Sequence, residues 1–427
     1  MKNTVQFLFG LSLIGLVMFS NGCSMFGEKN DETNQEVLDE LEKINNNPGT
    51  KKLAEFLNVA IWSQGFLKPS DVLYGYDKLI YVTDREANKI FQFDENGKKI
   101  GEYSTIKNPT KMAMDRKGNL FVIGDFDSLG YTLSTIFYIQ LHESGQILKN
   151  STPLGKKIIH PFYIPSFSGS LNLASQVKFV GIATYSDNSF IAARRGPDID
   201  DRKIGGHDNT IVTFDNERIY RSNLASSLLP VGSGLKTINN PTALATYANP
   251  PQSNSITSSK DFLMGMEGGL NGVDNFYKVQ GVVVTDNQGE LIYDSDNKFL
   301  TQDADKANRF LFSFAKRNNQ TQSRFIQPND ISVTNANNKQ YIFVVDSQLD
   351  SVYQFTYAGF EGVASPNGAG EKNIIVSFGG RPNDGNYSAY QLKNPEGVAF
   401  GNNRLYVTDT GNRRVLVYKL STDIVGQ

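Results

Sequence analysis

Few residues of this chain are suited to covalent chemistry. The only histidines are His142, His160 and His207, too scattered for a histidine-bound zinc ion, and Cys23 is the only thiol. No disulfide can form within the chain, and nucleophilic thiol chemistry is confined to its extreme N-terminus. There is no Gly-x-Ser-x-Gly elbow, phosphate-binding loop or dinucleotide fingerprint. Carboxylates are more plentiful, and three groups have ligand-like spacing. Asn329 and Asp330, followed by Asp346, offer oxygen donors to a divalent cation. Asp294, Asp296 and Asp305 fall at positions 1, 3 and 12 of a calcium loop, but Lys298 and Phe299 stand where such a loop needs an oxygen donor and a glycine. Asp198, Asp200 and Asp201 lie in a polar stretch that also holds His207. The sequence predicts no cofactor. A divalent cation, calcium by donor type, is what these oxygens would take.

The elements that must position such groups are strands. The 427 residues carry 42 Lys+Arg against 44 Asp+Glu, a net charge of −2, with 39% hydrophobic residues, which excludes a chain too polar to fold. Near-neutral charge also excludes a protein that coats nucleic acid. Arg194-Arg195 and Arg413-Arg414 are the only paired arginines, and acids are interspersed with them. The 28 Phe and 19 Tyr, punctuated by 38 Gly and 15 Pro, favour an all-β protein.

The N-terminus reads as an address. Lys2 is followed by the apolar run Val5 to Phe19 and then by Ser20-Asn21-Gly22-Cys23. This plan resembles a bacterial lipoprotein signal, which implies cleavage after residue 22 and acylation of Cys23. Two or three acyl chains, at about 0.8 kcal/mol per buried CH₂, would anchor the protein stably. The resemblance predicts an exported, extracytoplasmic protein held on the cell membrane or, from Ser24, the outer membrane. Residues 23–52 read as a tether. Within it Thr33 and Glu36 have capping-box spacing and Val37, Leu38, Leu41 and Ile44 share a helical face.

From residue 53 to 427 the chain repeats. The clearest copy is Leu392 to Tyr418: Asn394-Pro395-Glu396-Gly397-Val398-Ala399, then Leu405-Tyr406-Val407-Thr408-Asp409, then Gly411-Asn412-Arg413-Arg414-Val415. Others open at Leu67-Lys68-Pro69 and at Pro328-Asn329-Asp330, each with a strand ending in Asp (Asp84, Asp346) and an alternating strand six residues on. A further copy opens at Asn108-Pro109 with a strand ending Gly124-Asp125, and weaker ones start near Phe179 and at Asn240-Pro241. These residues resemble NHL repeats, and the resemblance implies a β-propeller with one four-stranded blade per repeat. Six copies predict a six-bladed propeller. The last copy lacks a fourth strand, and the apolar segment Phe56 to Trp62 is predicted to supply it and close the ring.

Recurring Asp residues read as architecture, because a carboxylate where a strand enters a turn binds that turn's N–H groups. Arg414 and Lys89 are expected to lie within reach of them. Function is sought where the copies differ. The turn after the second strand is long in the three middle copies (126–133, 196–208 and 268–276), and these loops are predicted to stand side by side on one face. The candidate binding face comprises Tyr131, Arg194, Arg195, Asp200, Asp201, His207 and Glu267, with Asp198, Met266, Asn271 and Asp274 beside them. The predicted role is a binding module for an envelope protein or a small ligand, with no nucleic acid. The competing class is a hydrolase, since Pro328-Asn329-Asp330 with Asp346 resembles part of a gluconolactonase-type propeller, which implies a divalent ion in the central channel. The peptide-amidating lyases built on NHL propellers need histidine-bound zinc, for which these histidines are unsuited. A scaffolding subunit of an envelope assembly is the third possibility.

Overall fold

The computed structural model describes residues 54–424, apart from 64, 161–167, 197–208, 225–237, 239, 248–258, 268–277, 289, 297–313, 318–319, 324, 337–338, 364–372 and 383–384. The predicted signal segment and tether helix lie outside the described residues. Six four-stranded antiparallel sheets form the propeller. In chain order, β1 is Phe56–Trp62, and blade 1 holds β2 (Pro69–Tyr74), β3 (Ile80–Asp84), β4 (Lys89–Phe93) and β5 (Lys99–Tyr103). Blade 2 holds β6 (Met112–Met114), β7 (Leu120–Ser128), β8 (Tyr131–Ile139) and β9 (Ile158–Ile159). A helix, α1 (Ser168–Gln176), precedes blade 3: β10 (Lys178–Thr184), β11 (Phe190–Arg195), β12 (Thr210–Phe214) and β13 (Tyr220–Leu224). Blade 4 holds β14 (Pro241–Thr246), β15 (Phe262–Met266), β16 (Val279–Asn287) and β17 (Glu290–Ser295), followed by a separate hairpin, β18 (Phe314–Arg317) and β19 (Gln320–Ser323). Blade 5 holds β20 (Pro328–Ala336), β21 (Lys339–Asp346), β22 (Ser351–Thr356) and β23 (Phe378–Gly379), and blade 6 holds β24 (Gly397–Gly401), β25 (Arg404–Asp409) and β26 (Arg414–Leu420).

The closure follows the sequence reading. β1 pairs antiparallel with β26, from Phe56 opposite Leu420 to Trp62 opposite Val415, and forms the outer strand of blade 6. Sheets of alternating buried residues cannot stand alone, so each blade packs both faces on its neighbours. Six apolar clusters result, one at each interface between consecutive blades. The cluster that closes the ring joins Trp62 and Tyr406 of blade 6 to Tyr74, Val82 and Phe93 of blade 1. Three inner strands are entered through Asn-Pro pairs whose asparagines, Asn108, Asn240 and Asn394, have φ between 45° and 48°. Asparagine tolerates that left-handed conformation better than other side-chain-bearing residues.

Three local expectations differ. In blade 2 the second strand does not stop at Asp125 but runs to Ser128, and the segment 126–133 is the end of a long β7–β8 hairpin rather than a loop. By register with blade 1, Gly124 takes the place of Asp84, and Asp125 falls one residue later. The ammonium of Lys89 bonds Glu102 at 3.2 Å rather than Asp84. The helix α1, foreseen by no periodicity, packs Leu171 and Ala174 on Leu133 and Tyr131 of that hairpin.

Candidate functional site

Antiparallel order fixes what each face carries. Inner strands start on the face where second strands end; this mouth face therefore bears the second-to-third-strand turns and the crossovers between blades. The 129–130 tip and the connections 196–209 and 267–278 all leave from it. β1 runs the other way: Phe56 lies beside Leu420, at the end of the third strand. The chain therefore enters the propeller from the opposite face.

Aligning the inner strands on their leading residue brings one position into view. Two residues beyond Pro69, Pro109, Phe179, Pro241, Pro328 and Pro395 stand Asp71, Lys111, Gly181, Ala243, Asp330 and Gly397. They ring the axis at the mouth-facing end of a cavity of about 110 Å³. The Lys111 ammonium lies 3.1 Å from Asp330 Oδ1, which comes from the diametrically opposite blade, and 3.5 Å from Asp71 Oδ1 of the adjacent one. It also donates to the Glu396 carbonyl at 3.0 Å. Asp71 Oδ2 accepts the Met112 N–H at 2.7 Å, and Asp330 Oδ2 accepts the Val398 N–H at 2.8 Å. Each aspartate thus clamps the backbone of the next blade, and the lysine spans the axis between them. At Gly181 and Gly397 no such clamp exists. There the backbones approach so closely that a Cβ would lie 3.1 Å from Leu244 N and 2.7 Å from Asp71 Cα, respectively.

Two carboxyl groups face one ammonium in a site shielded from water. Burial pushes the Asp71 carboxyl up to about 8, with the neighbouring Asp330 adding to the effect and Lys111 and the Met112 N–H opposing it. Burial works against the Lys111 ammonium, but Asp330 and Asp71 outweigh it and hold the group above its ordinary range, so it stays charged.

The predicted face is partly assembled. Arg195 and Glu267 form an ion pair between blades 3 and 4. Arg85 and Glu396 form a two-pronged pair between blades 1 and 6, with Nη2 to Oε1 at 2.6 Å. Tyr131 is half-buried against α1 rather than free at a mouth. Arg194 is buried at the register position that Asp84 and Asp346 occupy in blades 1 and 5. Asp200, Asp201 and His207, like Asp198, Asn271 and Asp274, lie outside the described residues.

Asn329, Asp330 and Asp346 do not converge on one point. Asp330 faces Lys111 at the axis, whereas the Asp346 carboxylate accepts the N–H groups of Ile326, Gln327, Gln348 and Leu349 at 2.7–3.1 Å. Asp84 does the same for Leu67, Lys68 and Ala87, and Asp409 binds the Lys393 N–H and the Arg414 guanidinium. Burial holds the Asp346 and Asp409 carboxyls above the ordinary carboxylate range, and these donors offset it only in part. In the acidic stretch after blade 4, Asp294 sits exposed on β17 opposite Val283, Asp296 is buried with its N–H on the Gly281 carbonyl, and Asp305 lies outside the described residues. Among the described residues, no three His, Cys, Asp or Glu side chains are grouped to hold a metal ion. Reading the copies for what they share passed over Lys111 and Asp71. The signal was present: the residue two beyond the leading proline varies between Asp, Lys, Gly and Ala.

Comparison with known proteins agrees with this architecture. The NHL repeat family model matches residues 392–418. A search of curated proteins finds no match. Among solved structures, an auxiliary nutrient binding protein from Bacteroides thetaiotaomicron is similar at 10% identity over 84% of this chain and 70% of that one, with a TM-score of 0.50. A gluconolactonase from Xanthomonas campestris aligns at 9% identity over 86% and 90%, with a TM-score of 0.43. A virginiamycin B lyase from Staphylococcus aureus aligns at 11% identity over 86% and 98%, with a TM-score of 0.40. At 10% identity the first of these speaks to the fold alone. The chain is a six-bladed β-propeller whose last blade carries an NHL repeat.

Proposed function

We propose that this protein is an exported, lipid-anchored binding module that captures an envelope protein or a small ligand on its mouth face. One observation carries the reading: the β7–β8 hairpin tip of blade 2, the ends of β11 and β15 from which the 196–209 and 267–278 connections start, and the charged end of the axial cavity share that face, while the chain enters from the other. An anchor at Cys23 would then hold the propeller by its back and leave the mouth clear. The auxiliary nutrient binding protein of similar fold is in keeping with a binding role. The gluconolactonase-type alternative draws no support from its own residues, since Asp346 is occupied by backbone N–H groups and Asp330 by an ammonium.

The test replaces Gly196 to Asp208 in the full chain by a short Gly-Ser turn and compares capture of envelope components with the parent. Loss of a partner at an unchanged melting temperature is expected; full retention would refute the reading. Metabolic labelling with an alkynyl fatty acid, expected in the parent and absent in Cys23→Ser, tests the anchor separately.

A further inference from the structure

One turn of the molecule is built from a residue that does not suit its shape. Two residues, Leu129 and Gly130, join β7 to β8 between the paired Ser128 and Tyr131. Both have positive φ, 50° and 83°, the pattern of a type I′ turn. Such turns favour asparagine and glycine, and blade 6 builds its own two-residue turn, between Gly401 and Arg404, from Asn402 and Asn403. Among the described residues, fourteen other than glycine have positive φ, and Leu129 is the one apolar side chain in that set. A bulky residue holds this conformation only under strain. Leu129 is also 72% exposed, more than any other large hydrophobic residue described.

The tip is projected and braced. In blades 1, 5 and 6 the second strand stops at Asp84, Asp346 and Asp409. In blade 2 residues 125–128 continue past the equivalent Gly124, which carries the tip up to about 13 Å further along the strand direction on the mouth face. The hairpin is held from its sides. α1 packs Leu171 and Ala174 on Tyr131 and Leu133, and the Lys157 ammonium lies over the Phe126 ring at 3.3 Å. The Lys107 ammonium lies 2.9 Å from Asp127, to which the Thr132 hydroxyl donates at 2.6 Å. Single exposed leucines are ordinary on protein surfaces. A strained one at the end of a braced projection destabilises the fold that carries it, and a contact outside the molecule is what would offset that.

We propose that Leu129 is the anchor by which the mouth face engages a partner protein, its side chain seating in an apolar socket of that protein. This rests on the reading of the mouth face as the binding face, and it names a protein rather than a small ligand as what is captured. A convex tip fits a concave site on another macromolecule and cannot enclose a small molecule. Because the hairpin is already braced by α1 and the Lys107–Asp127 pair, little of it has to be ordered on docking. A bilayer suits the tip less well. One leucine buries fewer methylenes than a single myristoyl chain, which itself binds membranes only marginally, and the chain enters the propeller from the opposite face.

Photo-crosslinking of the full chain in its own envelope, with p-benzoylphenylalanine in place of Ser128 beside the tip, tests the proposal. One protein adduct is expected, with the crosslink mapping among apolar side chains of the partner. Unlabelled parent chain should compete for it, and Leu129→Asn should compete about 10–100-fold less well, as loss of a buried leucine contact does. Leu129→Asn creates the favoured Asn-Gly turn and should hold or raise the urea midpoint, so its weaker competition will not come from misfolding. A lowered midpoint would make Leu129 a structural residue and overturn the proposal. So would the absence of a protein adduct, or competition by Leu129→Asn equal to the parent's. The Cys23→Ser chain is also floated with vesicles of phosphatidylethanolamine and phosphatidylglycerol; binding that depends on Leu129 would make the occupant a bilayer and overturn the proposal as well. The loop replacement separates the two readings. Capture lost with the loop but kept in Leu129→Asn refutes this inference alone, and capture lost in Leu129→Asn but untouched by the loop refutes the broader reading alone.

Discussion

Replacing Asp71 by asparagine, Asp71→Asn, has a stability consequence that can be worked from the axial geometry. Asparagine keeps the shape of the side chain and an acceptor for the Met112 N–H, and removes only the charge. In the folded protein the Asp71 carboxyl titrates at about 8, against 3.8 as the ordinary value taken for the unfolded chain. Between those pH values the folded state holds a proton that the unfolded state has released, so stability falls as pH rises through the window. The loss is complete once the pH passes the folded value. One proton of linkage is limited to about 1.4 kcal/mol per pH unit, so from pH 5 to 7 the parent should lose about 1–3 kcal/mol that the variant does not. Urea unfolding of both proteins at pH 5, 6, 7 and 8, compared at a common m-value, measures this directly. The curves should converge or cross as pH rises, the variant gaining on the parent. Parallel pH profiles would show that Asp71 is ionised throughout, and the argument that burial holds its proton would fail with it.

Lys111→Met should strip Asp330 and Asp71 of their shared ammonium and cost about 3–5 kcal/mol at pH 7.5, read by urea unfolding. Deleting residues 51–64 removes the closing strand, with Phe56, Leu57 and Trp62 from the core, and is expected to abolish cooperative unfolding; a truncated protein that melts like the parent would contradict the closure. Gly97→Ala should destabilise by about 1–3 kcal/mol, because the residue sits at φ +82° with its missing Cβ directed into the Trp62 indole, and a thermal melt will show it. Asp346→Ala strips the acceptor from four N–H groups and should cost about 2–4 kcal/mol, read by urea unfolding.

The candidate site was only half legible in the sequence, for physical reasons. Asp84, Asp346 and Asp409 were readable as turn-binding carboxylates because their partners lie close along the chain or within the same blade. Asp71, Lys111 and Asp330 are 40 and 219 residues apart in succession, and nothing local distinguishes them from other strand residues. They meet because ring closure brings blade 2 opposite blade 5. The pairing of Arg195 with Glu267 has the same origin: one ends β11 and the other directly follows β15, the corresponding strand of the next blade.

The strand pattern, the sixfold repetition and the identity of the closing strand are written in the order of the residues. Each rests on alternation of apolar residues and on turn chemistry, which are local properties. That 126–133 continues a hairpin capped by α1 follows from the packed fold, since it depends on Tyr131 and Leu133 finding Leu171 and Ala174. The packed fold also sets which polar residues reach the axis. A residue two places beyond a proline is unremarkable in one strand, but six such positions closed into a ring converge on a single point where their charges must balance.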